Sequence, residues 1–516
     1  MNLGVAIGRS ARRTPEAVAV FEGDRVRTYA ELEDRTSRLA NAILDRFGVG
    51  RGERVALLVH NRLEVVEVLG GCAKAGVTYC GINFRLGEEE YESIFDNAAP
   101  KLIVTEAGLR ETAERMAARL GGVPVVDVDD AGPEGYEATL AAASPAPPRT
   151  LHEVRGEDPF CIVYTSGTTG RPKGVAFDLD AVMQHATVAA LEYELRADSR
   201  WLMAIPHNSS VQITMVPLLL MGGAIGFSDS RGFTAEAFAA EVRRQAATHT
   251  FLVPTMLFRI LAADAEATAM PSLTTIGYGS SPIPPDRVLA LVERYGPIFV
   301  QLYGMAEIAS IGTMLRKEDH ARALAGEERL LSSCGSPSYA IDVRVVDDEG
   351  RDVGPGERGE IVFGSPYTML GYHRDPERTA EALVDGWMHS GDIGEWDDEG
   401  FLFIVDRKKD LIIRGGFNIV PTEVENVLYR HPAVIEAAVF GVPDPEWGEA
   451  VMAVVALRDG HTAEVDELIA WCKDDGLPSI KVPERLEIVD VLPKNAVGKI
   501  AKKELRDRVW AGGRKV

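Results

Sequence analysis

The chain has 516 residues, 46% hydrophobic and 26% charged, which suits a folded protein of two or more domains rather than one ordinary core. A formal charge of −23 argues against general nucleic-acid or anionic-membrane binding, though a local basic site for a phosphorylated ligand is compatible with it. The five cysteines, Cys72, Cys80, Cys161, Cys334 and Cys472, are scattered and form no C-x-x-C pair, so small buried thiols in a reducing cytoplasm are expected, not a zinc site or a disulfide framework.

Residues 1–8 are too short an apolar run, without a basic start, for a signal peptide. Thr28 and Glu31 fit a capping box opening a helix to about Leu44. Strand 55–59, helix 63–75 and strands 102–104 and 123–126 follow, with Pro124 assigning the last to a sheet edge or a strand start. This alternation predicts layered α/β architecture with parallel sheet. Residues 141–149, rich in Ala and Pro, read as an exposed connector. Phe160-Cys161-Ile162-Val163-Tyr164 and Val175-Ala176-Phe177 read as strands flanking a loop of glycines, hydroxyls and Lys173. Glycines let backbone N–H groups converge on an anion, and the hydroxyls and lysine add donors, so the loop suits a polyphosphate. It lacks the order of a Walker A motif and precedes a strand rather than a helix. The most apolar stretch, 213–227, is broken by Pro217, Gly222 and Gly223 and is too short to span a bilayer. We expect it to form a buried helix under a binding site. The charged run Asp406-Arg407-Lys408-Lys409-Asp410 cannot be core and marks a break. Beyond it come strand 411–413, helix 422–429, strand 437–440 and helix 465–472, enough for a small separate α+β domain.

The string Tyr164-Thr165-Ser166-Gly167-Thr168-Thr169-Gly170-Arg171-Pro172-Lys173-Gly174 resembles the phosphate loop of the adenylate-forming superfamily, which holds acyl-CoA synthetases, peptide-synthetase adenylation domains and luciferases. Further matches follow in the expected order as far as Lys499, on the acyl-CoA synthetase and aryl-acid:CoA ligase branch. The resemblance implies a large multi-sheet layered α/β adenylation domain over 1–408 and a small mobile α+β lid over 409–516. It also implies ATP, Mg²⁺ and, as thiol cosubstrate, CoA. Thr165, Ser166, Gly167, Thr168, Thr169, Gly170 and Lys173 would meet the phosphates. Gly277-Tyr278-Gly279-Ser280-Ser281-Pro282 resembles the segment along the adenine, and Tyr303-Gly304-Met305-Ala306-Glu307 the element whose glutamate holds Mg²⁺, a role suited to carboxylate. Gly386-Trp387-Met388-His389-Ser390-Gly391-Asp392 resembles the element whose aspartate bonds the ribose, helped by Arg407, with Lys409 at the hinge. Gly415, Gly416 and Phe417 match the loop facing the thiol tunnel. Lys499, in Leu492-Pro493-Lys494-Asn495-Ala496-Val497-Gly498-Lys499-Ile500, would bridge the carboxylate and α-phosphate. The catalytic set implied is Lys499, Glu307, Thr168 and Lys173.

Two segments depart from the pattern. Ala306 stands where threonine is usual, removing a hydroxyl donor. Ala204-Ile205-Pro206-His207-Asn208-Ser209-Ser210-Val211-Gln212 carries histidine directly after proline, where relatives have Pro-x-x-His, so the alignment shifts by about two residues. Its His-Asn pair resembles enzymes that activate hydroxylated benzoates. The acid would then meet His207, Asn208, Ser209, Val211, Gln212, Tyr278, Gly279, Gly304 and Met305. An unpaired polar group costs roughly a few kcal/mol against an alkyl chain, so this segment favours a small aromatic or compact polar acid over a fatty acid. No aspartate lies here to hold an α-ammonium, which disfavours amino acids.

The expected function is an acid:CoA ligase acting through an acyl-adenylate, in the cytoplasm, with a small acid, ATP and CoA as partners and neither nucleic acid nor membrane insertion. Three other readings remain open: a stand-alone adenylation enzyme loading a carrier protein, adenylation of another oxyanion or for a nitrogen acceptor, and a nucleotide-binding protein without catalysis. The joint presence of Lys173, Glu307, Asp392, Arg407 and Lys499 weighs against the last. Homodimers are common among similar enzymes.

Overall fold

The computed structural model describes residues 2–165, 172–209, 211–228, 232–281, 283–407, 411–414, 417–444, 447–458, 460–475, 477–494 and 500–512, without the side chains of 209, 406, 407, 413, 417, 418 and 510–512. Two compact units emerge. One comprises Met1–Pro282, Arg287–Val343 and Phe363–Met388; the other Ile283–Asp286, Arg344–Val362 and His389–Val516.

The first unit holds two large sheets. One runs in the order Gly371–Tyr372, Lys173–Asp178, Pro159–Thr165, Thr78–Gly81, Arg54–Leu58, Leu102–Thr105, Val125–Asp127, and is parallel from Pro159–Thr165 onward. Val125–Asp127 is its edge strand and starts just after Pro124, as a residue without an N–H requires. The other sheet has nine strands, six of them mutually parallel: Phe299–Tyr303, Thr275–Gly279, His249–Leu252, Arg200–Met203, Ala224–Phe227 and Val18–Glu22. The parallel strands are buried on both faces, hence their continuous apolar runs.

Local signals explain the helices. Thr28 caps Tyr29–Asn41 with a complete capping box to Glu31, and the last turn widens to a π-helix over Ala42–Arg46. Glu64–Ala75 ends at Gly76, which takes the left-handed conformation. The apolar stretch 213–227 is not one helix. A π-turn at Val211–Met215 leads into Val216–Met221, Gly222 ends it at φ +83°, and Ala224–Phe227 is a strand. Two glycines at 222 and 223 stop the helix, and the apolar residues after them have room only to extend.

In the second unit Val434–Asp444 and Gly448–Leu457 pair antiparallel, flanked by Ile412–Arg414 and Arg485–Val489. Alternation sends Val439, Val451 and Ala453 to a core with Val424, Leu428 and Leu468 from the helices Pro421–Arg430 and Val465–Asp474. Phe440, Met452 and Val454 face a second core with Leu492 and Leu505 of Lys502–Gly512. A sheet covered on both faces has its own apolar interior, which is what an independent domain needs.

Candidate active site

Phe299–Tyr303 and Thr275–Gly279 lie side by side in parallel, Gly279 opposite Leu302, so 279–281 and 303–307 leave the sheet from the same carboxyl edge. Ligands of parallel α/β sheets bind at such edges. Gly279 has φ +156°, and a Cβ there would lie 2.5 Å from the Leu302 carbonyl oxygen. Ser280 follows, exposed, in the left-handed region at φ +74°, and Ser281 is half-buried. A Cβ on Gly304 would lie 2.5 Å from the Ser310 carbonyl oxygen, so here too only glycine fits.

In the neighbouring sheet Thr165 pairs with Lys173, closing the mouth of the predicted phosphate loop. Ser166, Gly167, Thr168, Thr169 and Gly170 lie outside the described residues. Gly371–Tyr372 adds antiparallel beside Lys173–Asp178 and brings the Tyr372 ring under Lys173, whose ammonium nitrogen is 4.6 Å from the ring centroid. The Tyr372 hydroxyl donates to Glu307 Oε1 at 2.6 Å. Burial first, then the Glu307 carboxylate, push the phenol far above its ordinary pKa, so it remains a donor. Glu307 is 8% exposed on the single turn Ala306–Ile308, and its carbonyl accepts from Met369 N at 2.8 Å. Spacing in the sequence reveals Lys173 and Glu307 but not Tyr372. Its only signal is a buried-type aromatic after Gly371, and its partner is 65 residues away.

Glu307 suits Mg²⁺. One carboxylate oxygen is held by Tyr372, and the other, without a hydrogen-bond partner among the described residues, suits a hard cation. No group of three or more His, Cys, Asp or Glu that could hold a metal exists among the described residues, so an ion at Glu307 would complete its shell from phosphate and water oxygens, as Mg²⁺ does.

On the predicted acid side His207 is fully buried in the turn His207–Ser209. Its Nε2 lies 3.1 Å from the Val59 carbonyl, which can only accept, so Nε2 carries the proton and Nδ1 accepts from the Tyr79 hydroxyl at 3.2 Å. Burial lowers its pKa to about 4, leaving a neutral ring with both nitrogens engaged by protein. Asn208 is 5% exposed, and its Oδ1 is buried without a hydrogen-bond partner among the described residues. Val211 and Gln212 are buried, with Gln212 Nε2 3.9 Å from Cys161 Sγ. The Ser209 side chain lies outside the described residues. Tyr278 is turned into the core, where its hydroxyl meets His320 Nε2 at 2.9 Å, so only its backbone borders the 279–281 exit. Tyr303 and Met305 are half-buried beside Gly304.

In the second unit Asp392 stands opposite Arg407 in an antiparallel pair. Ser390 Oγ donates to the Ile361 carbonyl at 2.6 Å and accepts from Asp392 N at 3.0 Å, fixing the turn. The Arg407 and Phe417 side chains, Lys409, Gly415, Gly416 and Lys499 lie outside the described residues.

A model of the AMP-binding enzyme family matches residues 7–373, and one of the AMP-binding enzyme C-terminal domain matches residues 423–499. The chain belongs to the AMP-binding enzyme family. It is 40% identical to a feruloyl-CoA synthase from Amycolatopsis sp over 505 residues, covering 97% of each chain. It is 33% identical to an indoleacetate–CoA ligase from Aromatoleum aromaticum, covering 99% of this chain and 98% of that one. The amide bond synthetase McbA from Marinactinospora thermotolerans superposes with a TM-score of 0.86 at 31% identity, covering 98% of this chain and 99% of the other. This AMP-binding enzyme thus shares its family's layered α/β body and smaller C-terminal domain.

Proposed function

We propose that the protein is an ATP-dependent acid:CoA ligase, forming an acyl-adenylate and then a CoA thioester, with a small polar-substituted aromatic or compact polar acid as substrate. The observation that carries this reading is the cluster of Glu307, Tyr372 and Lys173, a metal-competent carboxylate and an ammonium at the mouth of a glycine and hydroxyl loop. Family membership supports the reaction class, and the relatives named for feruloyl-CoA and indoleacetate support an aromatic acid.

In the first step a carboxylate oxygen bonds to the α-phosphorus, the bond from that phosphorus to the bridging oxygen breaks, and pyrophosphate leaves. Two anions must meet, and Lys173, the loop's backbone donors with Thr168, and Lys499 offset their repulsion. Mg²⁺, when bound at Glu307, neutralises phosphate charge. Asp392 and Arg407 hold the ribose. In the second step the thiol sulfur bonds to the acyl carbon, AMP departs with the bonding pair, and the thiol proton passes to solvent. Residues 409–516 rotate about Lys409, withdrawing Lys499 and presenting 415–417 to the thiol. Asn208 Oδ1 accepts from a hydroxyl or N–H substituent on the acid, while His207 holds the turn that carries it.

All five cysteines are buried free thiols, which supports a cytoplasmic location; separately, no helix among the described residues is long and apolar enough to cross a membrane. The test is a thioester assay with ATP, Mg²⁺ and CoA over hydroxylated cinnamates, benzoates and dodecanoate. Aromatic acids should lead, and dodecanoate leading would refute the substrate class. Replacing CoA with a carrier protein or an amine tests the acceptor. The likeness to an amide bond synthetase makes the amine arm worth running, and amide formation in preference to thioester would reassign the second step.

A further inference from the structure

We infer that Tyr372 is a positioning residue that sets the metal-holding carboxylate and the phosphate-loop lysine at once, keeping the two from neutralising each other. The inference rests on the reading of Glu307 and Lys173 given above. Main-chain bonds already stitch this segment to both groups. Met369 N donates to the Glu307 carbonyl at 2.8 Å, Leu370 N to the Ala176 carbonyl at 2.8 Å, and His373 N to the Gly174 carbonyl at 2.7 Å. Tyr372 is itself fixed, its N donating to Thr379 Oγ1 at 2.9 Å and its side chain buried. Its phenol then repeats the bridge with side chains: the hydroxyl holds Glu307 Oε1 and the ring face lies under the Lys173 ammonium.

No ion pair joins Lys173 to Glu307 among the described residues, although both reach the same tyrosine. A direct pair would discharge the cation meant for phosphate against the carboxylate meant for the metal. A neutral phenol between them satisfies each without taking its charge. It fixes one carboxylate oxygen and leaves the other without a hydrogen-bond partner among the described residues, and outer partners of this kind orient metal-binding carboxylates.

The test uses the full-length protein, Mn²⁺ as the probe and α,β-methylene-ATP as an inert nucleotide, with bound Mn²⁺ read by electron paramagnetic resonance. Tyr372→Phe keeps the ring and loses the hydroxyl; Tyr372→Leu loses both. Tyr372→Phe should weaken Mn²⁺ binding about tenfold or more while leaving nucleotide affinity in EDTA within about twofold. Tyr372→Leu should weaken both. Melting temperatures close to the parent's establish that each variant is folded. Unchanged Mn²⁺ affinity in Tyr372→Phe, with Glu307→Gln losing the ion, would overturn this inference and leave the parent reading standing. Equal Mn²⁺ binding by Glu307→Gln and the parent would sink the metal role of Glu307, and this inference with it.

Discussion

A residue's role here depends on whether its partner is the ligand or the protein. Asn208 Oδ1 is buried without a hydrogen-bond partner among the described residues, so Asn208→Leu should cost little stability yet shift preference from hydroxylated toward unsubstituted acids by about tenfold, the worth of one hydrogen bond. Paired kcat/KM values measure this, and an unchanged ratio counts against the contact. On the proposed assignment of Lys499 to the first step alone, Lys499→Ala should reduce adenylate formation by on the order of a hundredfold or more and spare thioester formation from preformed adenylate. Equal loss of both half-reactions would contradict that division. Ala306 tests the opposite case. Ala306→Thr restores the hydroxyl usual in the family and should change ATP use modestly, as seen in KM for ATP. At this scale the sequence is readable where a role sits in a contiguous string, as with Lys173 and Glu307. His207 illustrates the limit, because its partners are Val59, just past the strand Arg54–Leu58, and Tyr79 of the strand Thr78–Gly81, and no local pattern reveals that both its nitrogens are engaged.

Elements were legible in proportion to their local signals. The capping box at Thr28, the strands around the phosphate loop and the short segments after residue 410 all formed close to their expected positions. The run 213–227 departs from its expected single helix because uniform apolarity carries no period, and only its paired glycines mark the change from helix to strand. In the second unit, alternation over 437–442, past an irregularity between Val434 and Glu436, assigns Phe440 to the core under Lys502–Gly512. Phe440→Ala should therefore cost about 3–5 kcal/mol in that unit. Urea unfolding followed by a probe within 411–512 should register the loss at lower urea than the fluorescence of Trp201, which is buried in the first unit. A single coincident transition at both probes, shifted together by the substitution, would show that the two units unfold as one.

At the scale of the whole molecule, four buried histidines set an acid limit. Burial lowers His185 to about 3 and His207, His249 and His320 to about 4, all in the first unit. Their folded values lie below the unfolded one, so between about pH 6.5 and 4 the unfolded chain binds protons that the folded chain refuses, and stability falls as pH drops through that window. Each contributes a slope of about 1.4 kcal/mol per pH unit there, and His320→Gln should reduce the total by that amount in unfolding measured at pH 5 and 6. An unaltered slope would mean that His320 titrates normally. The same two-unit architecture serves a reaction whose defining event is attack by an acid oxygen on the innermost phosphorus of ATP. The most direct measurement uses an accepted acid carrying ¹⁸O in both carboxylate positions, with CoA and Mg²⁺-ATP, and mass analysis of the products. One ¹⁸O in AMP and none in pyrophosphate is the predicted result; unlabelled AMP, or label in pyrophosphate, would contradict the account.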